Sequence, residues 1–186
     1  PPVLAHLLAR EYYEDHFISR DLFDSYNRFA VVRNPFTRVV STYTYLKVPT
    51  GFDYFVTKLL TGKLWSEQFY LVRPQVDYLR DADGTMLTNN VFRFERLSEL
   101  VDWLRLTLGK PSLDLSHINK SPKQIGPSEI ARAALRFGRF EPRRYQRDKM
   151  LSANNNRSCL FANPQTRAVV ERLYREDLDV FGYDFP

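Results

Sequence analysis

The chain contains little cysteine, no long apolar run and no repeated segment. Cys159 is the single cysteine among 186 residues, which excludes an internal disulfide and argues against a cysteine-based metal site. No apolar run approaches transmembrane length, and no signal peptide is visible. With no low-complexity tract either, the sequence predicts a globular domain that uses ordinary polar side chains for any ligand.

The size and charge of the chain narrow the class of ligand. A length of 186 residues fits one domain with a real hydrophobic core. Lysine and arginine number 27 against 22 acidic residues, which gives a formal net charge of +5. This moderate basic excess suits an anionic ligand such as a nucleotide, a sulfated product or an acidic glycan, and by itself does not establish nucleic-acid binding.

The stretch 29–47 carries the strongest local pattern. Residues 30–32 form an unbroken apolar run that is typical of a strand buried on both faces in a parallel sheet. Asn34 then offers an N-cap side chain, and Pro35 suits the first helical position. Apolar residues follow at helical spacing: Phe36, Val39, Val40 and Tyr43. The pattern predicts a strand, a tight turn and a helix.

Arg33 lies at the predicted junction between strand and helix, which is a natural site for an anion. Free backbone N–H groups and the positive end of the helix dipole converge there. Asn34, Arg38 and Ser41 share one helical face, so two guanidinium groups and a hydroxyl are available to one phosphate. The alternative is a structural arginine at a strand end, followed by a helix with a polar face.

These residues resemble the 3′-phosphate-binding motif of sulfotransferases that use 3′-phosphoadenosine 5′-phosphosulfate (PAPS). Five positions match the motif in place: Arg33, Asn34, Pro35, Arg38 and Ser41. The pattern is most similar to that of the carbohydrate-type branch, which includes the uronosyl 2-O-sulfotransferases and bacterial relatives. The resemblance implies that Arg33 and Ser41 bind the 3′-phosphate of the nucleotide.

Two further landmarks support the resemblance by their order and spacing. The segment 117–121 resembles a family loop that closes over the nucleotide, and the ending at 181–183 resembles the family's Phe-Gly-Tyr close. The loop's hydroxyl and ammonium groups suit a phosphate or a ribose, although a polar surface loop has the same composition. The resemblance implies nucleotide binding by four residues: Ser116, Lys120, Ser121 and Lys123.

The family resemblance also implies a fold. We expect an α/β, P-loop-like three-layer domain over 1–186, with a short central parallel sheet flanked by helices. Family members begin with a strand and a loop that cradles the 5′-phosphosulfate, but no glycine precedes Gly51 here. We expect the first strand and its loop to lie upstream of Pro1; the alternative is that the chain cannot transfer sulfate.

A general base is expected in the N-terminal region. Residues 3–15 show helical spacing, and His16 follows, seventeen residues before Arg33. In the 2-O-sulfotransferases a histidine in a comparable region acts as the base, and histidine has a suitable intrinsic pKa for that role. The simpler interpretation of His16 is a histidine in a surface loop. Three carboxylates remain rival candidates for the base: Glu11, Glu14 and Asp15.

Several other segments give weaker signals. Trp65, Arg73 and Gln75 are candidates for contact with the acceptor, although such a cluster equally fits a core. Glu95 is interpreted as a carboxylate at a helix start rather than as an ion-pair partner of an active-site arginine. The segment 122–158 resembles a basic insertion, and it is either a lid over an acidic acceptor or a solvated face.

The predicted elements outside the motif are one strand and several helices. A strand is predicted over 90–94, and helices over 54–60, 95–108, 130–140 and 164–179. Gly109 and Gly182 are predicted to end two of these helices.

The resemblance implies transfer of a sulfuryl group from PAPS to a hydroxyl, with 3′,5′-adenosine bisphosphate as product and no metal. The acceptor is expected to be a carbohydrate, with a peptide tyrosine, a lipid headgroup or a metabolite hydroxyl left open. The rival functions are a non-catalytic nucleotide- or glycan-binding module and, as a more distant alternative, a nucleic-acid-binding domain. The compartment would be the cytoplasm in a bacterium, or the Golgi lumen if an anchor precedes this segment.

Overall fold

The computed structural model describes residues 6–67, 69–115, 127–153 and 157–186. The strands are β1 (Phe29–Val32) and β2 (Asn90–Arg93). The α-helices are α1 (Glu11–Glu14), α2 (Arg20–Ser25), α3 (Pro35–Tyr45), α4 (Phe52–Tyr54), α5 (Trp65–Glu67), α6 (Phe69–Val72), α7 (Leu97–Leu108), α8 (Pro127–Phe137), α9 (Pro142–Ala153), α10 (Pro164–Leu173) and α11 (Arg175–Phe181). A π-helix spans Phe55–Leu64, and 3₁₀ helices span Val76–Leu79, Phe94–Arg96 and Arg157–Phe161.

The two strands form a short parallel sheet, in which Phe29 pairs with Asn90 and Val32 pairs with Arg93. The predicted strands and their parallel arrangement are therefore confirmed. The prediction that β1 is buried on both faces is wrong, because Val32 is buried whereas Val31 remains 41% exposed. The Val32 face is the better covered one, since Val32 packs with Val76, Phe181 and Tyr183 in a small cluster, whereas Phe29 on the other face contacts Trp103 of α7.

Helix α3 begins as the sequence predicts. The Asn34 side chain accepts a hydrogen bond from the Phe36 N–H at 3.0 Å, and Pro35 occupies the first helical position. The apolar residues of α3 are buried: Phe36, Val39, Val40 and Tyr43. They join the larger core, so the helix that starts at the end of β1 is held firmly against the rest of the molecule.

The helix predicted over residues 3–15 is reduced to α1 within the described residues. His6 has a left-handed backbone with φ +83°, and the Ala9 N–H donates to the Tyr78 carbonyl at 2.8 Å. This hydrogen bond to residue 78 replaces the one that Ala9 would make within a helix. The chain is therefore non-helical here, and α1 begins only at Glu11.

Two other predicted helices differ in detail from the structure. The short helix predicted over 54–60 is present, and most of it is a π-helix that spans Phe55–Leu64. The helix predicted over 164–179 is divided at Tyr174, whose backbone leaves helical geometry. Burial of Tyr174 explains the break, because its ring is 2% exposed and its hydroxyl donates to the Val72 carbonyl at 2.7 Å.

Much of the segment 122–158 is packed against the core. Phe137 in α8 and Tyr145 in α9 are both buried members of the larger hydrophobic cluster. Asp148 is 1% exposed and accepts from the Phe52 N–H at 2.8 Å, which ties α9 to the start of α4. The exposed basic residues of this segment therefore sit on helices whose other sides are built into the domain.

None of the helices in the described ranges combines the length and the apolar character that a membrane crossing requires. Within the same ranges, histidine, cysteine, aspartate and glutamate side chains form no group of three that could hold a metal ion.

Candidate functional site

Arg33 occupies the carboxyl end of β1, and Gln75 fixes its main chain. The Arg33 N–H donates to Gln75 Oε1 at 2.9 Å, and Gln75 Nε2 donates back to the Arg33 carbonyl at 2.8 Å. Both polar ends of the Gln75 side chain are thus engaged with one residue. The expectation that Gln75 contacts an acceptor is not supported by this placement, because its amide already holds the strand end.

Asp177 in α11 holds Gln75 in turn. Its carboxylate is fully buried and accepts the N–H groups of Gln75 and Val76, each at 2.8 Å. Burial raises the pKa of Asp177, while these donors and the positive charge of Arg38 act in the opposite direction. The strand end that carries Arg33 is therefore anchored through two residues to the interior.

The Arg33 side chain is half-buried and lies along the start of α3. Its Nε donates to Thr37 Oγ1 at 3.1 Å, and its guanidinium carbon lies 4.6 Å from the centroid of the Phe94 ring. Among the described residues, no carboxylate forms an ion pair with this guanidinium, and neither terminal nitrogen has a hydrogen-bond partner. A partly desolvated cation without a counterion favours the binding of an anion.

The surroundings of Arg33 lower the pKa of its guanidinium. Burial lowers the pKa of Arg33 first, and the nearby positive charge of Arg157 lowers it further, whereas Glu95 raises it. Arg33 nevertheless remains protonated and positively charged at neutral pH. Arg33 is thus a cation whose burial and like-charged neighbour are only partly offset by Glu95.

Ser41 lies one helical turn beyond Thr37 on the same face of α3. The Thr37 hydroxyl accepts the hydrogen bond from Arg33 Nε. The guanidinium therefore lies along the helix face that carries Thr37 and Ser41. The Ser41 hydroxyl is half-buried and makes no hydrogen bond to another described residue. The structure thus leaves both predicted groups with unused donors on one side of α3.

The expected contribution of free backbone N–H groups is wrong for the start of α3. The Asn34 N–H donates to Glu95 Oε1 at 3.0 Å, and the Phe36 N–H is taken by the Asn34 side chain. Pro35 has no N–H. Side chains thus already take the N–H groups of Asn34 and Phe36, so an anion here relies on side-chain donors such as Arg33 as well.

Glu95 caps α3 rather than its own helix. Besides the Asn34 N–H, Glu95 accepts the Tyr183 hydroxyl at 2.8 Å, and the Thr37 hydroxyl lies 3.4 Å away. Burial acts to raise the pKa of Glu95, but the donors from Asn34 and Tyr183, its own backbone N–H and the positive charge of Arg33 together lower the net pKa. A carboxylate with these partners stays ionised and fixed in place.

Arg38 does not join the candidate site. Its Nη1 donates to the Arg73 carbonyl at 2.7 Å, and its Nη2 lies 3.4 Å from the Leu71 carbonyl. These contacts hold α3 to the end of α6. The predicted grip of Arg33 and Arg38 on one phosphate is therefore not supported, because the Arg38 guanidinium is engaged by the carbonyls of residues 71 and 73.

The candidate bases differ in their exposure and in the hydrogen bonds and ion pairs that they make. His16 is exposed, follows α1 and has a left-handed backbone with φ +61°. Glu11 accepts the Leu8 N–H at 2.6 Å, and Glu14 pairs with Arg10 at 3.5 Å. Asp15 is exposed at the end of α1. Two of the three rival carboxylates are thus occupied by structural contacts.

The other candidate residues give less information. Arg73 donates to Asp77 at 3.2 Å and lies over the Phe69 ring, while Trp65 packs with Phe69. The predicted nucleotide-binding residues of the second landmark all lie outside the described residues: Ser116, Lys120, Ser121 and Lys123.

Sequence reasoning missed three contributors to the site. Asp177 resembled an ordinary residue of an acidic helix, and Tyr183 was noted only as part of the chain's ending. Arg157 was one of many basic residues in its segment, and no local signal set it apart. Contacts with residues distant in sequence place Asp177 and Tyr183, whereas Arg157 is oriented by the Ser152 carbonyl and its charge acts on Arg33.

Comparison with known proteins adds one finding. Residues 6–120, more than half of the chain, match the model of a family described as "Sulfotransferase family". The match includes His16, Arg33 and Ser41 and ends before α8. Searches of curated proteins and of solved structures find no match.

Proposed function

Because the chain belongs to the sulfotransferase family, we propose that it transfers a sulfuryl group from PAPS to an acceptor hydroxyl. The observation that carries the proposal is Arg33, a fixed and half-buried guanidinium without a carboxylate partner among the described residues. Such a group suits the 3′-phosphate of the nucleotide, which is a compact dianion. A P-loop-like three-layer arrangement, with further strands beside β1, is part of this proposal.

In this proposal, Ser41 donates its hydroxyl to the same phosphate as Arg33. The turn from β1 into α3 keeps the two groups on one side of the helix, and Thr37 braces the guanidinium between them. The four loop residues outside the described part would complete the nucleotide site: Ser116, Lys120, Ser121 and Lys123. Rigid placement of the donor is the main catalytic requirement, since sulfuryl transfer resembles the loose, in-line transfer of a phosphoryl group.

The acceptor in the proposal is a carbohydrate hydroxyl, and His16 is its general base. PAPS would supply the sulfuryl group: the acceptor oxygen bonds to sulfur, the sulfur–oxygen bond to the 5′-phosphate breaks, and the hydroxyl proton passes to the base. His16 is preferred over Glu11 and Glu14 because these are engaged with the Leu8 N–H and Arg10, and over the exposed Asp15 because a histidine has the more suitable intrinsic pKa. A basic surface, with net charge +5, agrees with an acidic glycan.

The first test is Arg33→Ala, with 3′,5′-adenosine bisphosphate titrated by calorimetry. Loss of a charge-assisted contact should weaken binding by about 1.5–3 kcal/mol, or roughly 10- to 150-fold. Arg143→Ala is the matched control, because Arg143 is an exposed arginine of α9 and should leave the affinity unchanged. An unaltered affinity in Arg33→Ala would remove Arg33 from the site.

A further inference from the structure

Arg157 is brought to the candidate site by the packing of its helix. It is the first residue of the 3₁₀ helix Arg157–Phe161, and the last residue of that helix, Phe161, packs edge-on against Phe36 with ring centroids 5.2 Å apart. Phe36 belongs to the first turn of α3, three residues after Arg33. The 3₁₀ helix that begins with Arg157 therefore packs against the first turn of α3, next to Arg33.

The Arg157 side chain is half-buried and lacks a carboxylate partner among the described residues. Its Nε lies 3.3 Å from the Ser152 carbonyl, which orients the side chain and does not neutralise it. Its charge is near enough to Arg33 to lower the pKa of that guanidinium. Glu95 is the nearby carboxylate, and its oxygens are engaged by the Asn34 N–H and the Tyr183 hydroxyl.

Neither guanidinium forms an ion pair with a described carboxylate, and the one negative charge of Glu95 does not balance two cations, so the remaining positive charge favours a bound dianion. We propose that Arg157 and Arg33 bind the same phosphate group, which makes Arg157 a nucleotide-binding residue outside the family match at 6–120. The inference rests on the proposed function and extends it. A terminal phosphomonoester carries nearly two negative charges at pH 7 and has enough oxygens for both arginines.

This arrangement predicts selectivity for nucleotides that carry a 3′-phosphate. Arg157→Gln keeps a polar side chain of similar length and removes the charge. We expect this variant to bind 3′,5′-adenosine bisphosphate about 10- to 100-fold more weakly than the unaltered protein, because it loses a charge-assisted contact. Its affinity for 5′-AMP, which has no 3′-phosphate, should be unchanged. Arg157→Lys should recover part of the affinity.

The thermal midpoint of the ligand-free protein separates a binding role from a structural one. Removal of a repelling charge should leave the midpoint of Arg157→Gln unchanged or raised, whereas loss of a structural contact would lower it. Added bisphosphate should then raise the midpoint less in this variant than in the unaltered protein. A lowered midpoint with an unchanged bisphosphate affinity would assign Arg157 to the structure alone.

The decisive experiment titrates bisphosphate and 5′-AMP into four proteins: the unaltered chain, Arg33→Ala, Arg157→Gln and the control Arg143→Gln. The expected result is a selective loss of bisphosphate affinity in the first two variants and none in the control. If Arg33→Ala loses affinity and Arg157→Gln does not, the role of Arg157 is refuted and the proposed function stands. If the unaltered protein fails to bind the bisphosphate, both proposals are refuted.

Discussion

At Arg33 the main chain and the side chain have separate tasks. Gln75 fixes the main chain through two hydrogen bonds, and within the described ranges the side chain donates through Nε to Thr37 and lies over the Phe94 ring. The proposed function assigns the terminal nitrogens to the nucleotide phosphate, while the residue itself is held in place. Pre-organisation of this kind lowers the entropic cost of binding, which is why a single arginine here can contribute strongly.

His16 gives a prediction that separates catalysis from binding. His16→Ala should lower the sulfuryl-transfer rate by about 10²- to 10⁴-fold, because the acceptor proton loses its base. Nucleotide affinity should persist, since His16 is an exposed residue of the loop after α1. Single-turnover transfer of labelled sulfate measures the rate, and calorimetry measures the affinity.

Asp15→Asn is the matched comparison for His16, because Asp15 is the adjacent exposed residue. The account expects this variant to keep its transfer rate. Full activity of His16→Ala together with an inactive Asp15→Asn would move the role of base to the carboxylate.

At the scale of elements, α8 offers a test of whether the basic segment belongs to the core. Phe137 is 6% exposed within the main cluster, whereas Leu135, two residues earlier, is 86% exposed. Phe137→Ala should destabilise the protein by about 3–5 kcal/mol, because it leaves a cavity. Leu135→Ala should change the unfolding free energy by less than about 0.5 kcal/mol. Urea denaturation measures both values.

Equal and small effects of the two substitutions would show that α8 is not packed as described. The segment would then be free to act as the lid that its basic composition first indicated.

The elements that the sequence predicted correctly depend on local patterns. β1, the Asn34 cap and the left-handed glycines at 109 and 182 each follow from neighbouring residues. The missed features depend on contacts between distant residues. The Gln75 N–H donates to Asp177, which lies 102 residues further along the chain, and Arg38 donates to the Arg73 carbonyl, 35 residues away. Spacing along one helix cannot reveal such partners.

At the scale of the whole molecule, the candidate site draws on both ends of the chain. The family match covers β1, α3 and β2 with their direct partners Gln75 and Glu95, and further groups that hold these partners come from residues beyond it. Asp177 anchors Gln75, Tyr183 donates to Glu95, and the Asp184 carbonyl accepts from the Asn34 side chain at 2.8 Å. The last turn of the fold is therefore part of what holds Arg33 in position.

The measurement that tests the central claim most directly is a double-mutant cycle on Arg33 and Ser41. Calorimetry with 3′,5′-adenosine bisphosphate would give the affinity of Arg33→Ala, of Ser41→Ala and of the double variant. If both side chains grip one phosphate, the double variant should lose less than the sum of the single losses, with a coupling of at least about 0.5 kcal/mol. Losses that add to within about 0.3 kcal/mol, or single variants that bind normally, would contradict a shared phosphate site.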